Sequence, residues 1–278
     1  LTPLVRPLAT AAGLIMAWWA LTRLTAVPPY MLPGPSAVAS ALWTQRVLLF
    51  RGALTTGGEV AAGLLIGVLS GGLFGLLVVL SPVLRRWLMP LLLISQAMPV
   101  FALAPLLVLW FGFGMASKIV MAVLVIFFPV TAALADGLRR TEQGLVDLAV
   151  TMNASPMAIL WHVRLPAALP SFGSGLRIAA VVAPIGAIIG EWVGASAGLG
   201  YVMLNANARM ETDVMFAALF ILSAMTILLW VGVDLLLTRL LAWAPDTSAL
   251  SWPDARSHTR LDNRQFSSPL VQDSTGSP

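Results

Sequence analysis

The chain has 278 residues, 59% of them hydrophobic and only 10% charged, with no cysteine and a formal net charge of +4. A mean hydropathy of +0.90 excludes one or two soluble domains of this length and describes a polytopic membrane protein. The positive excess is too small and scattered for a nucleic-acid surface, and the lack of cysteine excludes disulfides and thiolate chemistry.

A helix needs roughly 20 mainly apolar residues to cross the hydrocarbon core. Six segments satisfy this, near 8–27, 54–80, 87–111, 117–136, 171–191 and 214–243, so the predicted fold is all-α, a helical transmembrane bundle. The first apolar run, 8–22, lacks a small-residue cleavage site and reads as a retained span, not a removed signal peptide. Pro28, Pro29, Pro33 and Pro35 then force an extended approach before a short amphipathic stretch. Residues 1–31 form the first span with this approach, and 32–244 form the transmembrane core.

The second span carries Gly63, Gly67, Gly71 and Gly75 at four-residue spacing; the fifth repeats the device with Gly186 and Gly190, and Gly194 and Gly198 continue the spacing beyond it. Small residues on one helix face let backbones approach closely in lipid. Such a ladder serves packing within one chain or a seam between copies. Prolines interrupt the third span at Pro90, Pro99 and Pro105, the fourth at Pro129 and the fifth at Pro184. Among the polar residues within or at the ends of spans, Glu59, Gln96 and Glu191 stand out. Intramembrane polar groups face a bundle interior or a water path, which makes these three the candidate transport-pathway residues.

The long break between apolar runs, 141–170, reads as two short helices around a corner. Leu145, Leu148, Ala149 and Met152 fall at i, i+3, i+4, i+7, one apolar stripe. Asn153 tolerates the left-handed conformation that ends a helix, and Ser155-Pro156 supplies an N-cap hydroxyl and a proline at the first helical position. The second helix, with Met157, Leu160, Trp161 and Arg164, is expected to stop before Pro166. Beyond 244 the composition turns polar, and 245–278 reads as a disordered tail on the same side as the hairpin.

Chemistry-bearing motifs are few. Lys118 is the only lysine, and no Gly-rich run precedes it, so no Walker-type phosphate loop is present. The letters Gly194-Ala195-Ser196-Ala197-Gly198 match a nucleophile elbow, which requires a preceding strand and a histidine partner. Here a span precedes it, and the two histidines, His162 and His258, lie elsewhere; they also make no metal site. The chain is therefore not expected to be an enzyme, and no cofactor is expected on it.

The 141–170 segment resembles the coupling loop of ABC-importer permeases, whose pattern is Glu-Ala-Ala, three residues, Gly, nine residues, Ile, one residue, Leu-Pro. This chain has Asp147-Leu148-Ala149, Asn153, Val163 and Leu165-Pro166 at the full spacing. The flanks are similar to nitrate/taurine/sulfonate-type permeases: Leu32-Pro33-Gly34-Pro35-Ser36, Met98-Pro99, Ala104-Pro105-Leu106, Gly175-Leu176-Arg177 and Gly198-Leu199-Gly200-Tyr201. The resemblance implies a type I importer permease of six spans, working as a homodimer. Each copy would insert its hairpin into a cytoplasmic ATPase subunit that holds the ATP and Mg, while an extracytoplasmic solute-binding protein delivers cargo. It also implies that Asp147, Ala149, Asn153, Ala154 and Met157 meet the ATPase, with Leu165 and Pro166 anchoring the hairpin on the spans. The family often has Arg where Glu59 stands, a departure that suits a neutral or cationic solute, such as a pyrimidine-type thiamin precursor, over a sulfonate or nitrate.

Placing the N-terminus inside puts 11 of the 16 positive residues on one side, including Arg85, Arg86, Arg139, Arg140, Arg164 and Arg177. The positive-inside rule then expects both termini and the hairpin in the cytoplasm of a bacterium whose inner membrane the chain crosses. The competing class is an ion-coupled carrier with Glu59 and Glu191 as proton sites, which should show an internal repeat of broken helices.

Overall fold

The computed structural model describes residues 2–25 and 27–244, without the side chains of 2–8, 11, 91, 93 and 95–97. The 245–278 tail lies outside the described residues. In chain order the helices are α1 (Thr2–Leu24), α2 (Pro35–Thr44), α3 (Arg46–Leu80), α4 (Pro82–Ala97), α5 (Val100–Phe111), α6 (Met115–Arg139), α7 (Gln143–Thr151), α8 (Pro156–Ile159), α9 (Leu165–Gly194), α10 (Leu199–Ala208) and α11 (Thr212–Leu240). A π-helical turn, Leu160–Arg164, joins α8 to α9.

Among the described residues, four helical stretches are long and apolar enough to cross a membrane: Arg46–Leu80, Met115–Arg139, Pro156–Gly194 and Thr212–Leu240. The expected third span is two helices. Met98 and Pro99 take extended backbone (ψ 123° and 115°) and separate α4 from α5. Proline disfavours a helical residue before it, so the chain breaks at Met98. Pro90, Pro105, Pro129, Pro170 and Pro184 sit inside helices without ending them. The expected second span is also longer than its apolar run, because α3 begins at Arg46.

Three helices make the core: α6 lies between α3 and α9. The α3 ladder meets α6 rung by rung. A Cβ added at Gly63, Gly67, Gly71 or Gly75 would meet Ala122, Ile126, Val130 or Leu134, each four residues beyond the last. From α9, Gly186 meets the backbone of Ala122 and Gly175 meets Ala133. Lipid gives no hydrophobic drive between helices, so close backbone approach supplies the van der Waals contact. The glycine ladders thus pack helices within one chain. Around this core, Trp18 of α1 stacks with Phe216 and Phe220 of α11, at centroid distances of 6.2 and 5.8 Å. Thr212 Oγ1 at the start of α11 donates to Pro29 O at 3.0 Å, tying the proline-rich approach to the same helix.

Candidate functional site

At one end of the bundle α7, the corner and α8 form the hairpin. Asn153 has φ +59°, the left-handed value its side chain tolerates. Its N–H donates to Val150 O at 2.9 Å, and the Ala154 N–H donates to Ala149 O at 3.0 Å. That pair of bonds is the Schellman closure of a helix C-terminus. Ser155 then caps α8, its Oγ accepting from the Ala158 N–H at 3.2 Å, with Pro156 at the first helical position. Two orphan ends are satisfied within four residues, so the corner angle is set locally.

The second hairpin helix does not stop before Pro166. It passes directly into α9 through the π turn, whose wider winding lies in the turn just before Pro166, where the proline's missing N–H interrupts a regular α ladder. Hairpin and span are therefore one continuous element from Pro156 to Gly194.

The apolar stripe of α7 points outward. Leu145 and Leu148 are exposed and Met152 is 75% exposed, while Val146 supplies the buried contact. Across the corner Met157 and Trp161 are exposed too, and Ile159 and Leu160 face inward. Of the residues singled out in sequence, Asp147, Asn153 and Met157 are exposed, and Ala149, Ala154, Leu165 and Pro166 are half-buried. Gln143 Nε2 donates to Asp147 Oδ1 at 3.2 Å, one turn along α7.

The opposite end holds a buried polar cluster. Gly52, Thr56, Glu59 and Gly63 continue one face of α3, the face of its glycine ladder. Glu59 and Glu191 are each only 1% exposed. Thr56 Oγ1 donates to Glu191 Oε1 at 2.5 Å and accepts from the Leu199 N–H at 2.8 Å. The other oxygen of Glu191 accepts from Gly200 N at 2.5 Å and Tyr201 N at 3.4 Å. These bonds hold the turn at Gly198, whose φ of +114° is a conformation that favours glycine. So Glu191 spends both oxygens on fixing α10 against α3 and α9.

Glu59 has the neighbouring charges of Glu191 and Lys118, and its Oε2 is buried with no partner among the described residues. Lys118 Nζ instead donates to Phe113 O and Gly114 O at 2.7 and 2.9 Å, capping the connection before α6. Ser196 follows a helix, and His162 at the hairpin bonds Ala158 O, so no nucleophile elbow is assembled among the described residues; His258 lies outside them. The side chain of Gln96 lies outside the described residues.

Thr56 went unnoticed in sequence, although its place at i+4 from Gly52, below the ladder, was a signal. The ion pair of Arg177 Nε with Asp234 Oδ1, 2.7 Å apart across α9 and α11, carried none, since 57 residues separate the partners.

Residues 63–243 match the family model described as the binding-protein-dependent transport system inner membrane component. A probable ABC transporter permease protein of Haemophilus influenzae is 55% identical over 85% of this chain and 96% of its own length. The formylaminopyrimidine transport permease protein ThiX of Halalkalibacterium halodurans is 37% identical over 83% of this chain and 92% of its own. The taurine transport system permease protein TauC of Escherichia coli is 32% identical over 84% and 88%. Among solved structures, inward-facing conformations of the MetNI methionine ABC transporter share the fold, at TM-score 0.62 and 22% identity, covering 70% of this chain and 97% of that one. With the outward hairpin, the polytopic core and these relatives together, the chain belongs to the inner-membrane permease family of binding-protein-dependent ABC importers.

Proposed function

We propose that the chain moves a pyrimidine-type solute across the cytoplasmic membrane, driven by a separate ATPase subunit that grips the hairpin. The observation that carries the docking reading is the outward apolar face of Leu145, Leu148, Met152, Met157 and Trp161, carried on a corner whose angle is set by its own hydrogen bonds. Exposed apolar side chains clustered on a rigid turn mark a protein interface. On this reading the hairpin and both termini are cytoplasmic, two copies of the chain form the pathway, and a binding protein delivers the solute outside. ATP and Mg belong to the ATPase subunit.

Because α8, the π turn and α9 are continuous, a pull on the hairpin displaces α9 as a rod. Its far end carries Glu191, which takes Thr56 of α3 and the Gly198–Gly200 turn with it. That is a mechanical route for alternating access. The pyrimidine assignment rests on the 37% relative named for formylaminopyrimidine transport, and on Glu59 at a position where an anion-binding Arg is absent.

The test is uptake into proteoliposomes holding the chain, its ATPase subunit and its binding protein, with formylaminopyrimidine and taurine in competition. ATP-dependent accumulation of the pyrimidine is expected. Asn153→Val, which cannot hold the left-handed corner without strain, should release the ATPase from the membrane. Uptake that needs no nucleotide, or an Asn153→Val chain that still retains the ATPase, refutes the docking reading; preferential taurine uptake refutes the substrate.

A further inference from the structure

Toward the hairpin end of two spanning helices, the seam between α9 and α11 carries a salt bridge. Arg177 and Asp234, paired at 2.7 Å, leave 35% and 34% of their side-chain surface open. Ser174, one turn nearer the hairpin on α9, and Thr238, one turn nearer it on α11, are exposed beside them. Their hydroxyls bond only to carbonyls of their own helices, Pro170 O at 3.2 Å and Asp234 O at 2.8 Å.

Farther from the hairpin the same helices wall an apolar cavity of about 430 Å³, lined among others by Val181, Trp192 and Thr226. Val181 follows Arg177 by four residues, and Ser223, which also lines the cavity, precedes Asp234 by eleven, about three whole turns, so the salt bridge and the cavity share one face of each helix. Ionised side chains in spanning segments face water or protein and not hydrocarbon. An arginine has five donors and only Nε is used by Asp234 among the described residues.

We propose that this seam is a water-lined solute groove, in which Arg177 and Asp234 bind one polar edge of the solute and the apolar cavity takes its ring. Arg177 offers donors and Asp234 acceptors, side by side. An uncharged heterocycle with an adjacent ring nitrogen and amino group, as in an aminopyrimidine, presents the complementary acceptor and donor. A sulfonate presents acceptors only and meets the Asp234 carboxylate unfavourably. This inference rests on the pyrimidine reading above and names the surface that would recognise such a solute.

The chain has no cysteine, so single substitutions report on one position each. Ser174→Cys and Thr238→Cys, both close to isosteric, are treated in membranes with a water-soluble thiol reagent, with Leu236→Cys on a different face of α11 as the comparison. Reaction at 174 and 238 about tenfold faster than at 236 is expected, since a thiol reacts with such a reagent only where water reaches it. Excess formylaminopyrimidine should slow both reactions, and taurine should not. Unreactive thiols at 174 and 238, or spontaneous disulfide dimers through them, would overturn the groove. Rapid reaction that formylaminopyrimidine leaves unchanged, or that taurine slows, would overturn the donor–acceptor recognition. Failure of the pyrimidine reading shows separately, as preferential taurine uptake into the proteoliposomes, and leaves the water access at 174 and 238 untouched.

Discussion

A single hydroxyl joins three helices: Thr56 Oγ1 of α3 donates to Glu191 of α9 at 2.5 Å and accepts from the first N–H of α10 at 2.8 Å. Replacing it by the isosteric Thr56→Val leaves the Leu199 N–H without an acceptor at a fully buried position. A buried unsatisfied group costs about 1–3 kcal/mol. Thermal unfolding of the detergent-solubilised chain should show a clear loss for Thr56→Val and little change for Thr56→Ser. Equal melting for the two would mean the hydroxyl is not the tie.

Two glycines should respond oppositely to a methyl group. At Gly198 a Cβ would run into the Glu191 carboxyl group, on a backbone of φ +114°. The backbone term alone costs about 1–3 kcal/mol, and the overlap adds to it. At Gly232, inside α11, a Cβ meets nothing within 4 Å. There Gly232→Ala removes backbone freedom from a helix and should stabilise by about 0.5–1 kcal/mol. The comparison is again read by thermal unfolding.

The close approach at Ala122 makes a suppressor prediction. A Cβ at Gly63 would lie 2.5 Å from Ala122 Cβ, whereas a Cβ at Gly186 would lie 2.7 Å from Ala122 Cα. Both Gly63→Ala and Gly186→Ala should lower the yield of folded protein. Adding Ala122→Gly removes the clashing atom only in the first case, so it should rescue Gly63→Ala and fail to rescue Gly186→Ala. Rescue of both would place α6 farther from α9 than it stands here. Yield of monodisperse protein is the readout.

Met210 closes α10 in the left-handed region, at φ +58°, with Glu211 N bonded to Ala206 O at 2.9 Å. This is the same closure that Asn153 makes at the hairpin, performed by a residue without Asn's local hydrogen bonding. The left-handed conformation costs an ordinary side chain about 1–2 kcal/mol. Met210→Gly should therefore raise the melting temperature by about 2–4 °C for each kcal/mol recovered. An unchanged or lower value would show that its exposed side chain contributes packing in the membrane.

Local chemistry explains which parts were readable in advance. The corner at Asn153-Ala154-Ser155-Pro156 was legible because each residue there acts on its own backbone. The spans were legible because lipid demands long apolar helices. The continuation of α8 through Leu165-Pro166 was misread, since the π turn at Leu160–Arg164 lets the helix run past a proline that would interrupt a regular α ladder. The break at Met98-Pro99 was lost in a continuous apolar run, although the same pre-proline restriction governs it.

The sequence alone determined that this is an all-α membrane chain with a bent hairpin between spans, because hydropathy, capping and spacing act over a few turns of helix. Only the tertiary structure decided that the α3 ladder and Gly186 and Gly190 of α9 both close on α6. It also decided that Glu191 is held by Thr56 and the Gly198 turn, and that Arg177 finds Asp234. Those outcomes depend on which faces meet across scores of residues, and helix packing in lipid is chosen by shape and hydrogen bonding, which no local periodicity encodes.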